Sequence, residues 1–193
     1  MKLTIKTKLL TDDAQFKSLL ATMEAFNRAC NFISGVAFEA HRFGQVTLHH
    51  LVYKSCREKF PELSAQFAVR AIDVVSNSYK TDKKNLHSFR EHSAVVYDQR
   101  ILSFKGLDLV SISSIDGRLK IPIAIGSYRE LDRNRMRGQA DLTLENGKFF
   151  LNVVVEVPEG TPYEPKGVLG VDKGIVNIAF TSDGESFSGK KID

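Results

Sequence analysis

The chain opens MKLTIKTKLL, and how residues 2–10, KLTIKTKLL, are read decides the fold. Leu3, Ile5 and Leu9 fall on one side of an extended segment and Lys2, Lys6 and Lys8 on the other. This is the period-two signature of a half-buried strand with a basic outer face. A strand needs partners for its backbone donors and acceptors, yet β-rich texture does not return until about residue 87. The first strand is therefore expected to join a sheet built much later in the chain, which makes everything between an insertion.

That insertion reads as helical. Asp12 or Asp13 offers an N-cap, and Phe16, Leu19, Leu20, Met23, Phe26, Cys30, Ile33, Val36 and Ala37 keep helical spacing, with Gly44 expected to end the helix. A second helix runs from about Leu48 to Lys59 and stops before Pro61. Ser64 can cap a third, whose core stripe is Ala68, Ala71, Ile72, Val75 and Tyr79; Gln66, Arg70, Lys80, Lys83 and Lys84 are left to solvent or a ligand. Three such helices form a small bundle, with Asn27 and Asn31 as a polar seam. Cys30 and Cys56 are isolated and read as buried, reduced thiols. His49 and His50, adjacent on a helix, point in different directions and make a poor metal pair.

Beyond residue 87, AVVYD, ILSF, LDLVSIS and LKIPIAI are short strand candidates. ADLTLENGKFFLNVVVEV is a hairpin turned tightly at Asn146-Gly147. Strands at this spacing point to a small barrel. Pro158, Pro162 and Pro165, with Gly160 and Gly167, mark a linker. GVLGVD then reads as a buried, parallel-type strand ending in Asp172, followed by Gly174 and a second strand over Ile175–Thr181 turned at Asp183-Gly184.

With 193 residues, 42% hydrophobic and 26% charged, the chain has the composition of one ordinary globular domain or two small ones. No apolar run reaches membrane-span length and the N-terminus is too polar for a signal segment, so a cytoplasmic protein with no membrane partner is expected. A net charge of +4 permits a polyanionic partner without demanding one.

A carboxylate at a strand tip fits three settings. In RNase H-like nucleases such an Asp binds a divalent metal, which with a second ion clamps the attacking and leaving oxygens of a phosphodiester. Actin-like sugar kinases open with strand, Asp and Gly to cradle a nucleotide phosphate, but they place Thr or Ser soon after the Gly, where this chain has Ile175-Val176-Asn177. The third setting is a satisfied Asp in a structural turn.

Several passages taken together resemble the N-terminal half of the TnpB (OrfB) proteins, transposon-encoded RNA-guided nucleases related to compact type V CRISPR effectors. They are SAQFAVRAIDVVSNSYK, AVVYDQRILSF, GRLKIPI, ADLTLENGKFFLNVVVEVPE and, most specifically, GVDKGIVNIAFTSDGE. The resemblance implies an α+β chain in three parts. Residues 1–11 with 87–165 would form an OB-like wedge barrel, and 12–86 an inserted helical recognition domain. Residues 166–193 would begin a RuvC-type, RNase H-like nuclease domain. It further implies that Asp172 is the first of three catalytic, Mg²⁺-binding carboxylates. The other two lie far downstream in the family, as does its zinc ribbon, so the 193-residue chain alone is expected to be inactive. Lys173 departs from the family, which usually has an apolar residue there.

Guide RNA and target double-stranded DNA are the partners implied. Such proteins leave sequence reading to the guide and grip phosphates with Lys and Arg. The candidate contacts are Lys2, Lys6, Lys8, Arg118, Lys120, Arg129, Arg133, Arg135 and Arg137 for backbone. Gln66 and Arg70, one helical turn apart, could reach a groove together, Tyr53 could stack on a base, and Lys80, Lys83 and Lys84 add charge. Two alternatives stay open: a nuclease-inactive RNA-guided DNA-binding regulator, and a fragment of an actin-like sugar kinase.

Overall fold

The structure is a computed structural model that describes residues 2–106, 108–124, 136–156, 166–174 and 177–188. The chain divides into two units, Met1–Val157 and Pro158–Asp193.

The first unit begins with β1 (Lys2–Leu9), followed by three helices, α1 (Asp13–Glu39), α2 (Gln45–Lys59) and α3 (Ala65–Ser78). Among the described residues six strands follow: β2 (Val95–Asp98), β3 (Leu102–Phe104), β4 (Leu109–Ser114), β5 (Gly117–Ala124), β6 (Met136–Glu145) and β7 (Lys148–Glu156). The strands lie antiparallel in the order β2-β6-β7-β1-β5-β4-β3. β1 is therefore the central strand: Ile5 opposes Val153 of β7, and Leu9 opposes Ile123 of β5. The edge strands β2 and β3 are joined by a tight turn in which Ile101 N–H donates to the Asp98 carbonyl at 3.0 Å. Tyr97 of β2 reaches across, its hydroxyl donating to the Ser113 carbonyl of β4 at 3.0 Å. The sheet is thus a nearly closed antiparallel barrel carrying three helices.

The alternation in β1 sets its facing: Ile5 and Leu9 are buried, but Leu3, nearer the strand's start, is 40% exposed. The β6–β7 hairpin turns at Asn146-Gly147, and both residues adopt positive φ, as the twist of a two-residue hairpin requires.

α1 starts at a capping box. The Asp12 carboxylate accepts from Gln15 N–H at 2.8 Å, and Gln15 Oε1 accepts from Asp12 N–H at 3.2 Å. The helix ends at Glu39; Gly44 is the N-cap of α2, which starts at Gln45, three residues earlier than the Leu48 start read from the sequence. Ser64 occupies the N-cap of α3 but makes no side-chain capping bond.

Helices and barrel share one hydrophobic core. Phe67 of α3 packs edge-on against Tyr97 of β2 at 5.4 Å, and Phe16 of α1 lies 5.1 Å from Phe149 of β7. Polar bonds fix α1 to the β4–β5 turn: Ser18 Oγ donates to Ser114 Oγ at 2.9 Å, and Thr22 Oγ1 accepts from Ile115 N–H at 3.0 Å. Asn27 and Asn31 do form a seam, but what they hold is the chain returning to the barrel. Asn27 Nδ2 donates to the Glu91 and Ser93 carbonyls.

The second unit contains a three-stranded antiparallel sheet, β8 (Val171–Asp172), β9 (Asn177–Thr181) and β10 (Ser186–Ser188), in the order β10-β9-β8. The sequence-based expectation of a buried, parallel-type strand before Asp172 is corrected here. The strand is two residues long and antiparallel to β9, Val168 is 97% exposed, and Val171 is about half exposed. An apolar run predicts burial only when another layer covers it, and no described residue does so. Among the described residues no helix is long and apolar enough to cross a membrane.

Candidate functional site

The outward side of the barrel gathers charge because the pleat sorts it. On β1, Lys2 and Lys6 are exposed and Lys8 is half-buried; on β5, Arg118, Lys120, Pro122 and Ala124 are exposed while Ile121 and Ile123 are buried. Lys8 pairs in register with Ala124. The outward residues of β1 therefore continue along β5 as one row, Lys2, Lys6, Lys8, then Lys120 and Arg118. Lys148, at the start of β7, is exposed beside the hairpin turn.

Two members of the row are already engaged. Lys6 forms an ion pair with Glu145 and sits 4.6 Å over the Phe150 ring. Arg118 Nε donates to Ser111 Oγ at 2.9 Å and its Nη1 to the Arg100 carbonyl at 3.3 Å. Glu145 pairs with Lys6, and Glu156 lies in register opposite Lys2, so acids border the row as well as cations.

Gln66 and Arg70 share a face of α3, as their spacing predicts, but that face meets the β2–β3 turn. Gln66 Nε2 donates to Asp98 Oδ2 and its Oε1 accepts from Arg100 Nη1 at 3.1 Å. Arg70 Nη2 lies 2.5 Å from Asp73 Oδ2, and its Nε lies 3.4 Å from Asp98 Oδ2. That Nε contact is an ion pair without hydrogen-bond alignment, because Arg70 Nε is buried and has no hydrogen-bond partner. Gln45 Nε2 also donates to Asp73. Both residues are thus spent on joining the bundle to the barrel, a partnership invisible to helical spacing because Asp98 lies 28 residues beyond Arg70.

Tyr53 is half-buried and its ring stacks on His49 at 4.7 Å and 15°. Lys80, Lys83 and Lys84 are exposed, but all three lie past the end of α3. Their loop is shaped by Asp82, which accepts from Lys84 N–H at 2.7 Å and from Asn85 Nδ2 at 2.8 Å. Those bonds hold the Asp82 carboxyl below its ordinary range, the Asn85 side chain contributing most. Arg129, Arg133 and Arg135, and the side chain of Arg137, lie outside the described residues.

In the second unit Asp172 is exposed and opposes Phe180 across the β8–β9 pair. It lines a shallow cleft of about 450 Å³ with Gly170, Val171, Thr181, Ser182 and Gly184. Ser182 N–H donates to the Gly170 carbonyl at 2.8 Å and Gly170 N–H to Ser182 Oγ at 3.1 Å, tying the strand ends together. Among the described residues no three His, Cys, Asp or Glu side chains come together to hold a metal ion. Mg²⁺ asks for near-octahedral oxygen ligation, and Asp172 by itself does not fit that demand.

Sequence reasoning missed two features of this surface. One is Lys148, the first outward residue in the alternation of β7. The other is the Arg100–Gln66–Asp98 network, which only the meeting of helix and turn creates.

The chain matches no protein-family model, and no curated protein matches it. Among solved structures it is similar to a chain in a cryo-EM structure of a CRISPR-Cas12f ternary complex, at 10% identity and a TM-score of 0.48, covering 93% of this chain and 52% of that one. The chain therefore spans about half the length of the protein it is compared with.

Proposed function

We propose that this chain is the nucleic-acid-gripping N-terminal part of a TnpB-like, RNA-guided DNA endonuclease. The barrel acts as an OB-like wedge, the helices as an inserted recognition domain, and residues 166–193 as the start of a RuvC-type domain. The carrying observation is the outward row of Lys2, Lys6 and Lys8 on β1, taken up again by Lys120 and Arg118 on β5 beyond Ala124 and Pro122. Cations spaced along strands present a track to a phosphate backbone, whose neutralisation releases counterions and drives binding. The inserted helices stiffen that track from beneath.

Asp172 takes the place of the first nuclease carboxylate by its resemblance to the motif. Among the described residues the acids around it do not make a Mg²⁺ site, so cutting would require further acids, and these residues by themselves bind without cutting.

Binding of a labelled structured RNA to the chain, measured over a range of salt, tests this. A log-affinity that falls steeply and linearly with log salt is expected. Indifference to salt, or no binding, would overturn the proposal, and ATP binding in its place would favour the sugar-kinase alternative. In a full-length protein, Asp172→Ala should abolish DNA cleavage while leaving RNA binding intact. A parent that binds DNA under guidance and never cuts would favour the regulator.

A further inference from the structure

The junction between β1 and α1 encloses a cleft of about 610 Å³, the volume range of small-molecule and nucleotide pockets. Its lining combines three kinds of group. Phe16 and Leu10 are the apolar side, with Phe16 held from behind by Phe149. Lys8 and Lys148 are two cations at the rim. Asp13 supplies a carboxylate that is not spent on the helix cap, since Asp12 performs that role. Among the described residues Lys8, Lys148 and Asp13 make no ion pair and no side-chain hydrogen bond, with each other or with any neighbour. Opposite charges that border one cleft and do not neutralise one another are arranged for a ligand with both an anionic and a donor-bearing part. On the Gly147 side the cleft is open: a Cβ built there would meet nothing within 4 Å.

We infer that this cleft holds one unpaired guanine of a bound single strand. The inference rests on the nucleic-acid-binding function proposed above and adds a base-specific site to it. A carboxylate only accepts hydrogen bonds. Guanine presents two adjacent donors, N1–H and N2–H₂, to a carboxylate, whereas adenine and cytosine offer a single amino group and uracil one N–H flanked by acceptors. The purine ring lies against Phe16 and Leu10, where stacking on an aromatic face stabilises an unstacked base. Lys8 and Lys148 meet the phosphates on either side of it. Lys8 belongs also to the outward row of β1, so a strand following that row arrives at the cleft without a break.

The test is fluorescence anisotropy of the whole chain with labelled RNAs of about eight nucleotides, uridines throughout except for one central G, A, C or U. The G-containing strand is expected to bind about tenfold more tightly than the others, the discrimination of one good bidentate pair. Asp13→Asn, on the exposed first turn of α1, should erase that preference and leave the uridine strand bound as before; Lys148→Ala should weaken every strand. Thermal melts of both variants confirm the fold. Equal affinity for all four strands, or a guanine preference that survives Asp13→Asn, would overturn the site while leaving general binding intact. Guanosine monophosphate binding as tightly as the strand would mark a free-nucleotide pocket and overturn it too. Absence of binding to any strand sinks the nucleic-acid function itself.

Discussion

Asn31 and Phe89 exchange two hydrogen bonds across 58 residues of chain: Asn31 Nδ2 donates to the Phe89 carbonyl at 2.8 Å, and Phe89 N–H donates to Asn31 Oδ1 at 2.7 Å. A side-chain amide here imitates a neighbouring strand. One turn earlier, Asn27 does the same work from a fully buried position, and Ser34 continues it by donating to the His87 carbonyl at 2.6 Å. α1 thus carries a ladder of polar side chains that guides residues 87–93 back to the barrel.

Removing the buried rung should be costly. Asn27→Leu leaves the Glu91 and Ser93 carbonyls without that donor, and about 1–3 kcal/mol of stability should be lost. The exposed Asn31→Ala should lose less, about 1 kcal/mol, because water can replace its bonds. Urea unfolding of the two variants, with the denaturant slope unchanged, checks the order.

Arg70 is predicted to be structural. Arg70→Ala leaves Asp73 and Asp98 without their shared cation and should cost about 1–3 kcal/mol, lowering the melting temperature by several degrees. Its effect on the salt dependence of RNA binding should be nil. A flattened salt dependence with unchanged melting would reverse the assignment.

Replacing Lys2, Lys6 and Lys8 together by glutamine should do the opposite. Exposed or half-exposed side chains change stability by about 0.5 kcal/mol or less each. The slope of log affinity against log salt for a single-stranded RNA should become shallower by about 2.

Cys30 and Cys56 are buried and free, and burial pushes both thiols above their ordinary value of 9.0. Neither should react with a disulfide reagent at pH 8 in the folded protein, and both should react once urea unfolds it. The raised values stabilise the fold fully below pH 9.0. Above it the thiolates of the unfolded chain form first, so stability should fall with rising pH.

Asp141 on β6 is half-buried and its carboxyl is raised above 3.8 by desolvation. The folded state therefore prefers it protonated. That preference supports the fold below pH 3.8 and is lost as the pH rises through the folded value. Asp141→Asn, which stays neutral, should melt higher than the parent at pH 7, and the gap should close in acid. A constant gap across pH would show that the ionised carboxylate is not what costs stability.

How legible this was depended on range. Alternation in residues 2–10 sufficed to place β1 in a later sheet, because a strand's pairing need is dictated by its own backbone. The Asn146-Gly147 turn and the three helices were equally local. Leu3 escaped its expected burial because alternation assigns a face but not what covers it, and the same limit applies to Val168 and Val171. Gly44 moved from the end of one helix to the start of the next, since glycine serves both positions. Gln66 and Arg70 were correctly set on one face of α3, yet their partner Asp98 comes from another element, and no spacing rule reaches that far. The cleft at Asp13 has no sequence signature at all; it exists only where a hairpin turn meets a helix start.

The central position of β1 also governs the order in which the protein can assemble. Lys2 is paired with Glu156, so β1 waits for β7, the last described strand of its unit. The three helices, built from local contacts, can form while it waits, and local contacts form fastest. Until β7 appears, β1 has only β5 as a partner, at its far end, and the rest of it is an unpaired edge. Its lysines, three in its eight residues, then serve a second purpose: they keep one nascent chain from pairing with another before its own partner has been made.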